Sequence, residues 1–170
     1  MRCFIAAWPD ASTRLALAAL SDDVRRRIQH QRATRVDDLH LTLAFIGDLA
    51  DAAVVGVADA AAGLRFEPFD CQLDTLGFFE RAGVVWAGTD ASHETSKPLL
   101  ALARRLRLIL DQMDVTYDRR PLSPHVTLLR GVRRFDAEHT TPPILWRIDS
   151  IALYRSAGDR SGSRYSRVLR

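Results

Sequence analysis

The sequence predicts an α+β fold built from two similar lobes, and a duplicated motif is the main reason. Leu39-His40-Leu41-Thr42-Leu43 returns as Pro124-His125-Val126-Thr127-Leu128, so both copies read His-x-Thr-Leu within short apolar runs. Each copy follows a strand-like run and then a helix-like run, in the same order. A solenoid would need more copies than this. The repeat therefore predicts two lobes related by a pseudo-two-fold axis, with the motif strands meeting over a cleft.

Length and composition predict a single domain over residues 1–170, with approximate halves 1–80 and 81–170. A chain of 170 residues can bury a sizeable core in one domain. Its 47% hydrophobic and 26% charged content is typical of globular proteins and argues against disorder. No apolar run approaches the ~18 residues of a membrane-spanning helix. No signal peptide is predicted at the N-terminus either, so the cytoplasm is the expected location and no membrane is involved.

The first half contains three strand-like runs and two helix-like runs. The predicted order is a strand from Arg2 to Trp8, a helix capped by Ser12 or Thr13, a polar connection at 34–38, the first motif strand up to Gly47-Asp48, a helix capped by Asp51, and a strand from Phe66 to Phe79. Pro68 is placed at the start of that last strand, where its missing amide proton is tolerated.

The second half begins with a predicted hairpin and repeats the strand–helix–strand order. The expected elements are a turn at 80–83, a strand from Val84 to Gly88, a helix from Ser96 to Met113 with Pro98 in its first turn, the second motif strand up to Arg130-Gly131, a loop from Arg133 to Pro143, a strand from Ile144 to Tyr154, a polar turn at 156–163, and a strand from Arg164 to Leu169.

The cysteines and the basic residues give weaker indications. Cys3 and Cys71 lie in apolar strand-like runs, which predicts buried free thiols and a reducing compartment rather than a disulfide. The formal net charge is +3, and Lys97 is the only lysine. Arginine suits bidentate phosphate recognition, which favours a phosphorylated ligand, although genome base composition can produce the same usage.

Strand alternation places the histidine and threonine of each motif on one face. Successive side chains of a strand point to opposite faces, so His40 and Thr42 share a face, as do His125 and Thr127. Histidine titrates near neutral pH, so one imidazole can be a base while the other is an acid. The threonine hydroxyls suit phosphoryl oxygens, and Arg130 at the end of the second strand is the best-placed guanidinium.

Two alternatives remain open from the residues alone. A single His-x-Thr in a strand is usually structural, but two copies in matching frames favour a functional pair. A zinc site requires three or four protein ligands, and His30, His93, His139 and the cysteines show no ligand spacing. Phosphate-binding glycine loops and Gly-x-Ser-x-Gly elbows are absent from the sequence. No metal and no cofactor is therefore predicted.

The motifs and their flanking segments resemble the 2H phosphoesterases, and among these the bacterial RNA 2′,3′-cyclic phosphodiesterases, historically called 2′-5′ RNA ligases. The resemblance covers nearly the whole chain. The segments that carry it are 2–6, 38–47, 76–79, 84–88, 120–130, 153–156 and Tyr165. One departure is Val36-Asp37-Asp38 before the first motif, where relatives often have a proline-containing segment.

The resemblance implies a bilobal 2H phosphoesterase fold, with two pseudo-symmetric antiparallel sheets facing a central cleft and helices outside. It also implies hydrolysis of a terminal ribose 2′,3′-cyclic phosphate to a 2′-phosphomonoester without metal. His40 would protonate the departing 3′-oxygen and His125 would activate water. Thr42 and Thr127 would hold the phosphate oxygens, and Arg130 would add positive charge.

The resemblance identifies RNA 3′ ends or oligonucleotides with 2′,3′-cyclic phosphates as partners, with no obligate protein partner and a monomer as the expected state. Phe45 and Tyr165 are candidates for the cleft rim, although a regular strand would turn Phe45 toward the core with the leucines. Two other activities stay open: reversible ATP-independent 2′-5′ RNA ligation, and a non-catalytic RNA-end binding module.

Overall fold

The computed structural model describes residues 2–89, 93–136, 139–156 and 164–169 of the chain. Within these ranges it contains three α-helices: α1 (Ala11–Arg27), α2 (Asp51–Gly63) and α3 (Lys97–Gln112). The strands are β1 (Arg2–Ala7), β2 (Arg32–Ala33), β3 (Leu41–Asp48), β4 (Phe69–Phe79), β5 (Val84–Gly88), β6 (His125–Arg130), β7 (His139–Ile148), β8 (Ala152–Ser156) and β9 (Tyr165–Arg167). This is the α+β composition that the sequence predicts.

The nine strands of the described ranges form one antiparallel sheet, in which two groups of four strands are accompanied by the short β2. Its order is β7-β4-β5-β6-β3-β1-β8-β9, and the short β2 pairs with the free edge of β6. The two motif strands, β3 and β6, lie at the centre and are joined by pairing of Leu41 with Val126. On one side of this junction lie β3, β1, β8 and β9, and on the other β6, β5, β4 and β7.

The two strand groups do not follow the order of the chain. β4 comes before residue 80 but pairs with β5 and β7. β8 and β9 come near the end of the chain but extend the group of β1 and β3. The predicted halves 1–80 and 81–170 therefore differ from the two strand groups, because one group combines strands from both ends of the chain and the other takes its strands from the middle, between residues 69 and 148.

The helices pack on the sheet and share one core with it. α1 contacts β7, α2 contacts β8, and α3 contacts β3. Most of the apolar stripe that the periodicity of α3 predicts is buried, but Met113 at its end is 36% exposed. α1 starts two or three residues earlier than a cap at Ser12 or Thr13 predicts, because Asp10 caps it by accepting the Thr13 amide proton. Cys3 and Cys71 are buried free thiols, in agreement with the prediction. No helix in the described ranges is long and apolar enough to cross a membrane.

The predicted elements after the second motif were partly wrong. The predicted loop from Arg133 to Pro143 ends in β7, which begins at His139, and the predicted strand from Ile144 to Tyr154 is split between β7 and β8. Pro142 and Pro143 lie inside β7, where they are tolerated because β7 is an edge strand. Most of the turn predicted at 156–163 falls outside the described residues.

Candidate functional site

The bridge between the two motif strands brings both histidines and both threonines to one face of the sheet. Leu41 and Val126 pair across the strands, and both are completely buried in the core. In an antiparallel pair the residues that flank a bridge lie opposite one another in reverse order. His40 therefore lies across from Thr127, and Thr42 across from His125, on the face opposite the core. This is the meeting of polar faces that the alternation predicts.

Both histidines are held in the same way by the backbone that precedes them. Nδ1 of His40 lies 2.6 Å from the carbonyl oxygen of Asp38, and Nδ1 of His125 lies 2.7 Å from the carbonyl oxygen of Ser123. A carbonyl only accepts, so Nδ1 carries the proton and donates it in both rings. Each neutral imidazole then has its lone pair on Nε2. Both rings thus present the same nitrogen for proton exchange.

Burial keeps both imidazoles neutral in the free protein. Desolvation lowers the pKa of His40 to about 4, although its hydrogen bond to the Asp38 carbonyl and the Asp38 carboxylate act in the opposite direction. Desolvation also lowers the pKa of His125, against the effect of its hydrogen bond to Ser123. The positive charge of Arg130 adds to the lowering in both cases, which shows that this guanidinium is electrostatically coupled to both rings.

A β-bulge follows the threonine in each motif strand and turns the next residues over. In β3, Thr42 and Ala44 pair with consecutive residues of β1, so Leu43 is the extra residue. In β6, Thr127 and Leu129 pair with consecutive residues of β5, so Leu128 is extra. A bulge of this kind shifts the alternation by one residue. In a strand without this bulge, Arg130 would lie on the same face as Val126, opposite the histidines.

The bulge in β3 explains why Phe45 does not pack in the core, where a regular strand would place it. Phe45 is 41% exposed and pairs with Phe4, whose ring faces His40 rather than the core. The guanidinium of Arg2 lies 5.6 Å from the centre of the Phe45 ring. Phe45 therefore lies on the motif face, as a rim residue would, but it does not line the cavity at His40.

Aromatic rings surround His40. Trp8 stacks on it almost in parallel, with ring centres 4.9 Å apart, and Phe4 stacks on it at 4.8 Å. Tyr165 meets it edge-on at 5.0 Å, and Tyr154 lies behind Trp8 at 4.2 Å. These rings exclude water from the imidazole and so account for its lowered pKa. Tyr165 is thus placed beside the first motif.

His125 has two aromatic neighbours, and one of them, Trp86, lies against two glycines. Phe79 meets its ring edge-on at 4.9 Å, and Trp86 lies 6.1 Å away. A β-carbon at Gly77 would lie 2.1 Å from the Trp86 indole, and one at Gly88 would lie 2.4 Å from the Pro124 carbonyl oxygen. Glycine is therefore required at both positions if Trp86 is to lie flat beside the second motif.

A cavity of about 190 Å³ opens at His40 and Thr127. It is lined by four residues that the sequence predicts for the site or its rim: His40, Thr127, Arg130 and Tyr165. It is also lined by residues that the sequence did not identify: Arg32, Ala33, Thr34, Arg35, Asp38 and Arg164. Thr42 and His125 lie beside this cavity rather than in its wall.

The missed residues lie in the connection before the first motif and at the start of β9. Their signal in the sequence is the basic pattern Arg32-Ala33-Thr34-Arg35, which reads as a polar linker until β2 pairs it with β6. Asp38 is buried, and its carboxylate accepts the backbone amide proton of Arg164 at 2.9 Å. This bond fixes the beginning of β9 against the segment that carries His40.

Two other features bear on the choice of site. A larger groove of about 820 Å³ lies between the end of α1 and the segment around Phe135, but none of the motif residues lines it. Among the described residues no three His, Cys, Asp or Glu side chains form a group that could hold a metal ion. The cavity at His40 and Thr127 is therefore the candidate site.

Comparisons with known proteins agree with this fold. The model of the 2′-5′ RNA ligase superfamily matches residues 10–160. The RNA 2′,3′-cyclic phosphodiesterase of Escherichia coli is 30% identical over 164 residues, covering 89% of this chain and 90% of the relative. That of Aeropyrum pernix is 29% identical over 126 residues, covering 71% and 70%.

Solved structures give the same result. The crystal structure of E. coli LigT complexed with 3′-AMP superposes with a TM-score of 0.80 at 28% identity, over 99% of this chain and 95% of that one. TT0787 of Thermus thermophilus superposes with a TM-score of 0.68 at 27% identity, over 99% and 96%. The resemblance and the fold class predicted from the motifs are thereby confirmed. The chain belongs to the 2′-5′ RNA ligase superfamily.

Proposed function

We propose that the protein hydrolyses a terminal ribose 2′,3′-cyclic phosphate of RNA or an oligonucleotide to a 2′-phosphomonoester. The observation that carries this proposal is the antiparallel pairing of the two motifs, which places two histidines and two threonines on one face. Two imidazoles on either side of one phosphate suit acid–base chemistry. The names of the relatives support the same substrate class.

The histidines divide the two proton transfers between them. His125 accepts a proton from water through Nε2, and the water oxygen forms a bond to phosphorus. The bond from phosphorus to the ribose 3′-oxygen breaks, and His40 gives a proton to that oxygen through its own Nε2. The assignment of acid and base follows the family, because the hydrogen bonds of the two rings are equivalent.

An anionic substrate would prepare His40 for the acid role. His40 is neutral at pH 7 in the free protein because burial lowers its pKa to about 4. A cyclic phosphate carries a negative charge, and an opposite charge within a few ångströms favours the protonated imidazole. Substrate binding therefore raises the pKa of His40, so that Nε2 takes up a proton from solvent and can give it to the leaving oxygen.

Thr42, Thr127 and Arg130 would bind the phosphoryl group. The threonine hydroxyls project from the same face as the imidazoles and can donate to the non-bridging oxygens. The bulge in β6 turns Arg130 into the cavity wall beside Thr127. A guanidinium held there before the reaction stabilises the charge that develops on phosphorus-bound oxygens.

An assay with a defined RNA end tests the proposal. The protein is incubated with an oligonucleotide that ends in a 2′,3′-cyclic phosphate, in the presence of EDTA, and the product is examined by phosphorus NMR. We expect a 2′-phosphomonoester. Persistence of the cyclic end would reject the proposal and leave an RNA-end binding module, whereas activity that EDTA abolishes would indicate a metal-dependent mechanism.

We further propose that the protein acts as a monomer in the cytoplasm. The buried free thiols of Cys3 and Cys71 are compatible with a reducing compartment. Both motifs come from one chain, so the site needs no residue from a second copy. Gel filtration at several protein concentrations tests the oligomeric state, and an apparent mass that doubles would contradict the proposal.

A further inference from the structure

Two arginines lie side by side next to the candidate site without a carboxylate partner. Arg32 on β2 pairs directly with Arg130 on β6, so their side chains leave the sheet on the same face. Like charges directly opposite each other in a sheet are destabilising. Within the part of the chain that the structure describes, neither guanidinium forms an ion pair with an acidic side chain. An anion between them would remove the repulsion.

A third arginine extends this positive surface along the cavity wall. Arg35 precedes the short helical turn before the first motif, and like Arg32 it is exposed and has no acidic partner among the described residues. Arg164 lines the cavity as well. The single carboxylate in the wall, that of Asp38, is buried and engaged with the backbone amide of Arg164. The cavity wall is therefore strongly positive.

The arginines line the same cavity from different segments of the chain. His40, Thr127 and Arg130 come from the motif segments, and Arg32, Thr34 and Arg35 come from the segment that pairs with the edge of β6. A volume of about 190 Å³ is smaller than the ~300–1,000 Å³ of pockets that enclose a whole small ligand. It can hold a phosphate with part of a ribose, and the rest of the substrate must lie outside.

We infer that Arg32 and Arg35 bind the phosphodiester on the 5′ side of the terminal nucleotide, so that the protein selects RNA chains over mononucleoside cyclic phosphates. This inference rests on the proposed function. In an RNA chain that phosphodiester is connected to the reacting phosphate through a single ribose, so a second anion lies close to the cavity when the first is bound. Free mononucleoside 2′,3′-cyclic phosphates lack it. Arginine forks bind such phosphate oxygens in bidentate fashion.

Three substrates separate the charge of that phosphodiester from its size. The first is the dinucleotide adenylyl-3′,5′-adenosine 2′,3′-cyclic phosphate. The second is the same dinucleotide with an uncharged methylphosphonate linkage, and the third is adenosine 2′,3′-cyclic phosphate alone. We expect the wild-type kcat/KM to be at least about tenfold higher for the charged dinucleotide than for either of the others. The kcat/KM for the charged dinucleotide should also fall more steeply with rising salt concentration than the values for the other two substrates.

Substitutions assign the preference to the arginines. Arg32→Gln and Arg35→Gln should each lower the preference for the charged over the uncharged dinucleotide by about threefold to tenfold, and Arg32→Lys should retain part of it. Arg104→Gln removes one positive charge from the exposed face of α3, away from the cavity, and is the matched control. Thermal melting should show that Arg32→Gln is no less stable than the wild type, because it removes a like-charge neighbour.

The outcomes distinguish this inference from the proposed function. If the wild type hydrolyses none of the three substrates, the proposed function fails. If it hydrolyses all three at equal rates, or if both variants keep the full preference, the function stands and the assignment of Arg32 and Arg35 is overturned. A loss of preference in Arg104→Gln equal to that in the cavity variants would likewise overturn it.

Discussion

The two motif strands have the same local structure but different neighbours. In both, Nδ1 of the histidine donates to the carbonyl oxygen two residues before it. In both, a bulge follows the threonine. β3 pairs at its bulge with β1 and β6 with β5, and each of these partner strands precedes the α-helix that comes before the motif in the chain. By this register His40 corresponds to His125 and Thr42 to Thr127. Phe45 then corresponds to Arg130, since each lies five residues after its histidine.

The neighbouring strands place their large side chains at different positions. Ala7 pairs with Leu41 and Ala87 with Val126, so Trp8 and Gly88 occupy equivalent positions. Trp8 stacks on His40, whereas Gly88 has no side chain and the Trp86 indole lies against its position. One residue before the equivalent alanines, β1 has Ala6 and β5 has Trp86.

This difference shows how a symmetric frame can serve an asymmetric reaction. The duplicated strands supply two equivalent imidazoles and two hydroxyls. In the group of β3, β1, β8 and β9, aromatic rings surround His40, whereas the group of β6 brings Arg130 and, through β2, Arg32 beside the site. A reaction that needs one acid and one base can therefore use two identical motifs, because their surroundings set different proton affinities.

The largest expected effect tests whether both halves take part in the chemistry. His40→Ala and His125→Ala should each lower kcat for a cyclic-phosphate oligonucleotide by about 10²–10⁴, since each removes one general acid or base. His93 is exposed and lies outside both motifs, so His93→Ala is the control and should retain wild-type activity. If only one of the motif variants loses activity, the functional equivalence of the two halves is wrong.

The pH dependence of stability should differ between the halves. The lowered pKa of His40, about 4 against 6.5 in the unfolded chain, means that the unfolded state binds more protons between these values. The free energy of unfolding should therefore fall as the pH drops from 6.5 to 4, by up to about 3 kcal/mol from His40. Chemical denaturation at several pH values should show that the unfolding free energy of His40→Ala changes less with pH in this window than that of the wild type. An unchanged pH dependence would contradict the neutral, desolvated state of His40.

Arg130 and Phe45 are equivalent by position but should differ in effect. Arg130→Gln removes the guanidinium next to Thr127 and should lower kcat/KM by about 10- to 100-fold. Phe45→Leu changes an exposed ring outside the cavity and should lower it by less than about threefold. Steady-state kinetics on one oligonucleotide compare the two. Equal losses would mean that Phe45 also contacts the substrate.

A glycine of β4, in the strand group of the second motif, should give a smaller effect, which is on stability. Gly77→Ala would place a methyl group against the Trp86 indole and should cost about 1–2 kcal/mol of unfolding free energy. Gly63→Ala in α2 meets no atom within 4 Å and should be neutral or slightly stabilising. Denaturant titration measures both. A Gly77 variant as stable as the Gly63 variant would show that Trp86 moves aside without cost.

The sequence predicted the motif residues because they depend on local alternation and on a repeat. Alternation placed His40, Thr42, His125 and Thr127 on polar faces, and the bridge between Leu41 and Val126 brings those faces together. The position of Phe45 was predicted less well, since a bulge depends on how the neighbouring strand pairs and leaves no clear pattern in one strand.

The arginines of the cavity could not be found in the same way. Arg32 and Arg35 belong to a short polar connection, and only its pairing with β6 places them at the site. Arg164 comes from the other end of the chain and reaches the site through β9. Such contacts are set by tertiary structure over long sequence separations, and neither periodicity nor composition encodes them.

The central claim is that two motifs form one site, and a double-variant cycle tests it most directly. Residues that act together on one phosphate show losses that do not multiply. The measurement is kcat for the wild type, His40→Ala, His125→Ala and the combined variant on the same cyclic-phosphate oligonucleotide with EDTA. We expect the kcat of the combined variant to lie within about tenfold of the kcat of the less active single variant. Losses that multiply across the two positions would mean that the histidines act independently, which would contradict a single shared site.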